Sequence, residues 1–205
     1  MTPDYWKQAT REISARDAVL KKLIPQFKGL ALGSRGDAFS TLSRAIVGQQ
    51  ISVKAAQSVW DRLVTELAAI TPHAVMEKNT ERLRGCGLSG RKVIYLQDLA
   101  ARFHSGALDV AAWSQLDDEA LIVELTQVKG IGRWTAEMFL IFHMARPDVL
   151  PLDDMGLQRA MNLHYNRGKP LSRLKMLKIG SRWAPWRSVA TWYLWRSLDP
   201  IPVDY

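Results

Sequence analysis

The stretch Leu125-Thr126-Gln127-Val128-Lys129-Gly130-Ile131-Gly132-Arg133-Trp134-Thr135-Ala136 constrains this chain more than any other. A helical pattern runs into it, two glycines one residue apart interrupt it, and a second helical pattern leaves it. Glycine adopts backbone angles that other residues resist, so Gly130 and Gly132 permit a turn tight enough to aim several backbone N–H groups the same way. They point to the N-terminus of the following helix, where unpaired N–H groups and the helix dipole favour an anion. Ile131 is expected to plug the turn into the core, and Thr135 to add a hydroxyl in the first helical turn. Such a site grips phosphate without reading bases. The alternative is an ordinary helical hairpin with glycines chosen for packing. The flanking Leu125, Val128 and Ala136 argue against it.

The remainder is helical nearly throughout. Asp37 is expected to cap a helix carrying Phe39, Leu42, Ile46 and Val47, and Ser52 one carrying Ala55, Ala56, Val59, Leu63 and Leu67. Thr71-Pro72 opens a short helix, Thr80 caps another, and Ser89 opens a longer one through Phe103. Asp117 or Asp118 caps the helix that enters the glycine turn. Helices are expected over 133–144, 155–165, 172–182 and 185–198, with Pro185 in the first turn of the last. Residues 1–36 read as one or two helices. No strand, hairpin, repeat or low-complexity signal is present. The expected fold is all-α: many short helices in two lobes with a cleft between them. One lobe is expected over about 37–145, with the hairpin at 125–136. The other combines 1–36 with about 146–205.

The net charge is +8, and its distribution matters more than its total. Between Asp154 and Asp199 there is no acidic residue, while Arg159, Arg167, Lys169, Arg173, Lys175, Lys178, Arg182, Arg187 and Arg196 fall there. One block of the fold therefore carries a positive field suited to a polyanion such as nucleic acid, or else a solvated basic face. Cys86 is the only cysteine, which excludes an internal disulfide and a four-cysteine iron–sulfur cluster. It reads as a small residue in a turn between Gly85 and Gly87. No apolar run is long enough for a membrane span and the first residues do not resemble a signal peptide, so a cytoplasmic, nucleoid-associated bacterial protein is expected.

Four separated segments now combine: Val47-Gly48-Gln49-Gln50-Ile51-Ser52-Val53, Gly130–Ala136, Leu152-Asp153-Asp154 and Pro185-Trp186-Arg187-Ser188. Their content and order resemble the helix–hairpin–helix DNA glycosylase superfamily, most of all its DNA-3-methyladenine glycosylase II type, over roughly Asp37 to Leu198. The resemblance implies a monofunctional enzyme that flips an alkylated base, such as 3-methyladenine or 7-methylguanine, out of duplex DNA and hydrolyses its N-glycosidic bond. The family's catalytic aspartate follows the hairpin by about twenty residues, often with an arginine at the fifth position beyond it. Asp154, followed by Arg159, fits that spacing, which selects Asp154 over Asp153; Asp153 is expected to cap the next helix or support the loop. Lyases of the superfamily place a lysine two residues after the second hairpin glycine. Trp134 stands there, which implies no strand cleavage.

The resemblance also implies a pocket. Trp195 aligns with the aromatic residue that stacks on the electron-poor base, and Trp134 and Met138, one helical turn apart, are candidates to line the same space. By position Gln50, with Gln49 beside it, would be the wedge that fills the gap left by the flipped base; the family type has an apolar residue there. Family hairpins often hold a sodium or potassium ion through backbone carbonyls, here those of Thr126, Val128 and Gly130. No other cofactor is implied. Too little sequence precedes Asp37 for the β-rich domain of longer relatives. A monomer acting on double-stranded DNA is expected. The alternatives are a glycosylase for deaminated or etheno bases, or a non-catalytic binder of damaged DNA that kept only the hairpin.

Overall fold

The computed structural model describes residues 2–33 and 36–198. Twelve α-helices lie among them: α1 (Trp6–Arg16), α2 (Ala18–Leu23), α3 (Ala38–Gly48), α4 (Val53–Leu67), α5 (Pro72–Glu77), α6 (Thr80–Gly85), α7 (Gly90–His104), α8 (Asp118–Leu125), α9 (Arg133–Phe142), α10 (Met155–Asn166), α11 (Arg173–Gly180) and α12 (Arg187–Leu198). No strand occurs among the described residues, as an all-α fold requires. No helix there is long and apolar enough to cross a membrane. The chain forms two compact units, Met1–Ser34 with Leu140–Asp204, and Arg35–Phe139. The division falls inside α9, a few residues before the expected boundary at 145. Residues 199–205, assigned by sequence to the second lobe, lie outside the described residues.

The unit over 35–139 is built on α7. Its Val93, Leu96, Leu99 and Ala100 recur at helical spacing and are fully buried, and α3 and α5 pack on it. Each fully buried leucine contributes roughly 1.5–3 kcal/mol. An edge-to-face chain runs from Phe39 to Phe103 to Trp113 to Phe139, with centroids 5.3–6.0 Å apart. The buried Trp113 indole donates to Glu124 Oε1 at 2.7 Å. Local capping sets most helix starts: Asp37, Ser52, Thr71, Ser89 and Asp117 each accept a backbone N–H with the side chain. For α6 the cap is Asn79, one residue before the expected Thr80, because its amide oxygen reaches Arg82 N–H at 2.9 Å. Cys86 is buried in the α6–α7 turn, as expected of a small structural residue.

In the other unit α12 packs against α1, α2 and α10. Trp6 meets Trp192 edge-on at 5.3 Å, and Trp186 stacks on Tyr5 at 5.6 Å, so Trp186 and Trp192 are packing residues. Buried Asp17 caps α2 through Val19 and Leu20 N–H and also accepts Trp183 Nε1–H at 3.1 Å. These donors offset the cost of a buried carboxylate. α12 begins at Arg187, leaving Pro185 outside the helix. Asp148 explains this start, since its Oδ1 accepts Arg187 N–H at 3.2 Å and its two oxygens take the Arg187 guanidinium at 2.7 and 2.9 Å. α9 stops at Phe142, and α11 gives way at Ser181 to a 3-10 turn, both short of their expected ends.

Candidate functional site

The hairpin between α8 and α9 has a left-handed glycine at one of its two positions and an unexpected foundation. Gly130 has φ +82°, in the left-handed region that favours glycine. A Cβ there would lie 2.1 Å from Cδ2 of Tyr95, so the ring lies directly against the glycine. Gly132 is different: its φ is ordinary and a Cβ would meet nothing within 4 Å. Gly132 leaves the surface open at the start of α9, where its carbonyl accepts Ala136 N–H at 3.0 Å. Ile131 is buried at 4% exposure, the expected plug. Thr135 is also buried, at 8%, and so belongs to the core side of α9 rather than to its open face.

Two acidic residues brace this turn. Asp98 Oδ2 accepts Lys129 N–H at 2.9 Å, and Glu119 pairs with the Arg133 guanidinium through both oxygens. Arg133 Nε also reaches the buried Glu137 at 3.0 Å. Hydrogen bonding from Arg133 holds the Glu119 carboxyl below its usual range. Trp134 is exposed at 39%, and Met138, one turn further, is buried at 7%. Both lie on the part of α9 that belongs to the 35–139 unit.

The candidate wedge sits between α3 and α4. Gln50 is exposed at the tip with φ +57°, followed by exposed Ile51 and Val53. Gln49 is turned inward: its Nε2 donates to Gly130 O at 2.8 Å. Of the three carbonyls that resemblance assigned to a cation, Gly130 O thus accepts Gln49 and Val128 O accepts Ile131 N–H at 3.1 Å. Each of these two carbonyls accepts one hydrogen bond and keeps a second lone pair.

In the other unit the structure brings Asp154 and Trp195 together. Asp154 is 8% exposed and is the residue preceding α10. Its Oδ1 accepts Leu157 N–H at 2.6 Å and Trp195 Nε1–H at 2.7 Å, which fixes the carboxylate from two directions. Asp154 is therefore itself the helix cap, so of the two tasks expected of Asp153, capping the next helix or supporting the loop, the first is overturned. Asp153 is 57% exposed at its side chain and pairs instead with Arg173 at the start of α11. Trp195 stacks on Phe142 at 5.6 Å and 12°. Gly156 permits the approach, since a Cβ there would stand 3.1 Å from Asp154 Oδ1 and 3.2 Å from Trp195 Cδ1.

The loop that delivers Asp154 is latched at its other end. Ser188 is fully buried; its hydroxyl donates to Arg146 O at 2.6 Å and accepts Val149 N–H at 2.9 Å. Sequence reasoning missed Tyr95, Asp98, Phe142 and Gly156. Only Gly156 left a local trace, as a glycine inside the first turn of a helix, where it costs roughly 1 kcal/mol relative to alanine.

One unit thus carries a helical hairpin with an open glycine at the start of α9, and the other a buried carboxylate held by two donors, the parts expected of a helical nucleic-acid-processing protein. The chain belongs to the HhH-GPD superfamily of base excision DNA repair proteins, whose family model matches residues 43–185. It is 34% identical over 182 residues to DNA-3-methyladenine glycosylase 1 of Schizosaccharomyces pombe, covering 87% of this chain and 80% of that protein. Its fold is similar to a DNA-3-methyladenine glycosidase from Bacillus halodurans, with TM-score 0.86 and 34% identity over 93% of this chain and 89% of that one. It is also similar to an S. pombe 3-methyladenine DNA glycosylase in complex with abasic DNA, with TM-score 0.80 and 31% identity over 96% and 100% of the two chains.

Proposed function

We propose that this chain is a DNA glycosylase of base excision repair that hydrolyses the N-glycosidic bond of alkylated bases, with Asp154 as its catalytic carboxylate. The observation that carries the assignment is the double hold on Asp154 Oδ1 by Leu157 N–H and Trp195 Nε1–H, in a chain of the base-excision superfamily. Breaking the bond builds positive charge on the deoxyribose. A carboxylate held still beside C1′ stabilises that charge without reorganising and orients the attacking water. A base methylated at N3 of adenine or N7 of guanine is already cationic and leaves without a strong acid, so one carboxylate suffices.

The hairpin supplies N–H groups to a backbone phosphate at Gly132, and the exposed Gln50 tip fills the duplex where the nucleotide leaves. Trp134 occupies the position of the lyase lysine, so the product is an abasic site in an intact strand. Double-stranded DNA is the partner, bound by a monomer.

The test is release of free 3-methyladenine or 7-methylguanine from methylated duplex DNA. Asp154→Asn keeps an oxygen to cap α10, because asparagine caps as well as aspartate, and removes only the charge. Its melting temperature is expected to stay close to that of the parent while the rate falls on the order of 100-fold or more. Undiminished base release by this variant overturns the assignment. Strand breaks in the product before alkali treatment overturn the monofunctional reading.

A further inference from the structure

The geometry points to Gln49 as a positioning residue that joins the 49–52 loop and the hairpin into one preset DNA grip. It is not an independent contact to DNA. The inference rests on the glycosylase reading above and goes beyond it by dividing the two adjacent glutamines between different tasks. Gln49 Nε2 donates to Gly130 O at 2.8 Å, across 81 residues of sequence. Gly130 is the residue whose left-handed φ makes the phosphate-gripping turn. Gln49 is half-buried and its amide already committed, whereas Gln50 is exposed at the tip.

α7 seats both partners of this brace. Lys92 Nζ donates to Val47 O at 2.8 Å, one of the last α3 carbonyls, which have no partner within their own helix. Tyr95 lies against Gly130, and Asp98 accepts Lys129 N–H while also taking Arg102 Nε at 3.1 Å. Lys92, Tyr95 and Asp98 are three apart in sequence and share one face of the helix. The loop entering the duplex and the turn gripping the backbone are thus fixed to one face of α7 and to each other through Gln49. A grip ordered before DNA arrives binds more tightly, because association bears less of the ordering cost.

The full chain tests this with Gln49→Ala, Gln49→Glu and Gln50→Ala. The measurements are affinity for a duplex carrying a tetrahydrofuran abasic analogue, single-turnover release of 7-methylguanine at saturating enzyme, and amide hydrogen exchange without DNA. Gln49→Ala is expected to weaken abasic-duplex binding about 2- to 12-fold, the worth of one hydrogen bond. Its release rate at saturation changes by less than about twofold, and the hairpin amides near Ile131 exchange faster in the free protein. Gln49→Glu is worse, since it sets a carboxylate oxygen against Gly130 O. Gln50→Ala leaves hairpin exchange unchanged, and its effect on binding shrinks in the Gln49→Ala background. Unchanged hairpin exchange in Gln49→Ala, or strict additivity of the two alanine variants, overturns the inference. A parent protein that does not prefer the abasic duplex overturns the functional reading instead, and the exchange data still decide the brace.

Discussion

Alanine at the two hairpin glycines separates folding from the proposed phosphate contact. At Gly130 two costs add. The φ of +82° forces an L residue into the left-handed region, at roughly 1–2 kcal/mol. The new Cβ also falls 2.1, 2.4 and 2.5 Å from Cδ2, Cε2 and Cγ of Tyr95. The contact is with a ring rather than the end of a flexible chain, so the helix or the turn must shift. Overpacking of this kind costs roughly 1–3 kcal/mol. Gly130→Ala is therefore expected to lose about 2–5 kcal/mol, a large fraction of the roughly 5–15 kcal/mol that holds a domain together.

At Gly132 neither cost arises, since φ is ordinary and nothing lies within 4 Å of the added atom. Restricting the unfolded chain contributes some tenths of a kcal/mol in favour of the alanine. Gly132→Ala is expected within about 1 kcal/mol of the parent, yet its methyl stands on the open surface of the proposed phosphate contact. Urea denaturation reports the first difference and duplex affinity the second. A double-mutant cycle of Gly130→Ala with Tyr95→Ala isolates the ring contact, with an expected coupling of about 1–3 kcal/mol. Equal stability of the two alanine variants, or no coupling to Tyr95, would mean that neither the φ of Gly130 nor the ring contact holds the turn.

Two further outcomes follow from the 140–198 segment. Ser188→Ala leaves Arg146 O and Val149 N–H without their buried partner and is expected to cost about 2–3 kcal/mol in urea denaturation, with the loop that delivers Asp154 exchanging its amides faster. His164 reads out in a pH series. Burial lowers its pKa below the ordinary value near 6.5, and its Nε2 lies 2.7 Å from the Ser197 hydroxyl, which itself donates to Leu194 O. The unfolded chain then binds the proton more readily than the folded one. The contribution is complete above about pH 6.5 and is lost as pH falls through the lowered folded-state value. Melting temperature is expected to drop between pH 7.5 and 5.5, and His164→Gln to flatten that drop.

What could be read from the sequence divides by range. Helix starts were legible because a cap bonds its own neighbours within three residues: Ser52, Ser89 and Asp117 act as read. The starts misread are those decided by something else. Asn79 stands beside an equally plausible Thr80, and α12 waits for Asp148, some forty positions earlier, to receive Arg187 N–H. The candidate site divides the same way. The family resemblance singles out Asp154 by its distance to the hairpin, but its partner Trp195 lies 41 positions away, and Gln49 meets Gly130 across 81. Spacing says which residues exist, not which way their polar atoms turn, so two adjacent glutamines read as one wedge until the Gly130 carbonyl separates them. The adjacent aspartates show the same limit more sharply. From sequence, catalysis falls to Asp154, and Asp153 is left to cap the next helix or support the loop. Capping, however, draws the carboxylate against the N-terminus of α10, where Trp195 can also reach it past Gly156, the glycine that a helix would otherwise avoid. The same hydrogen bond that starts the helix therefore also fixes the charge, so one geometry serves both the cap and the catalytic role proposed for Asp154.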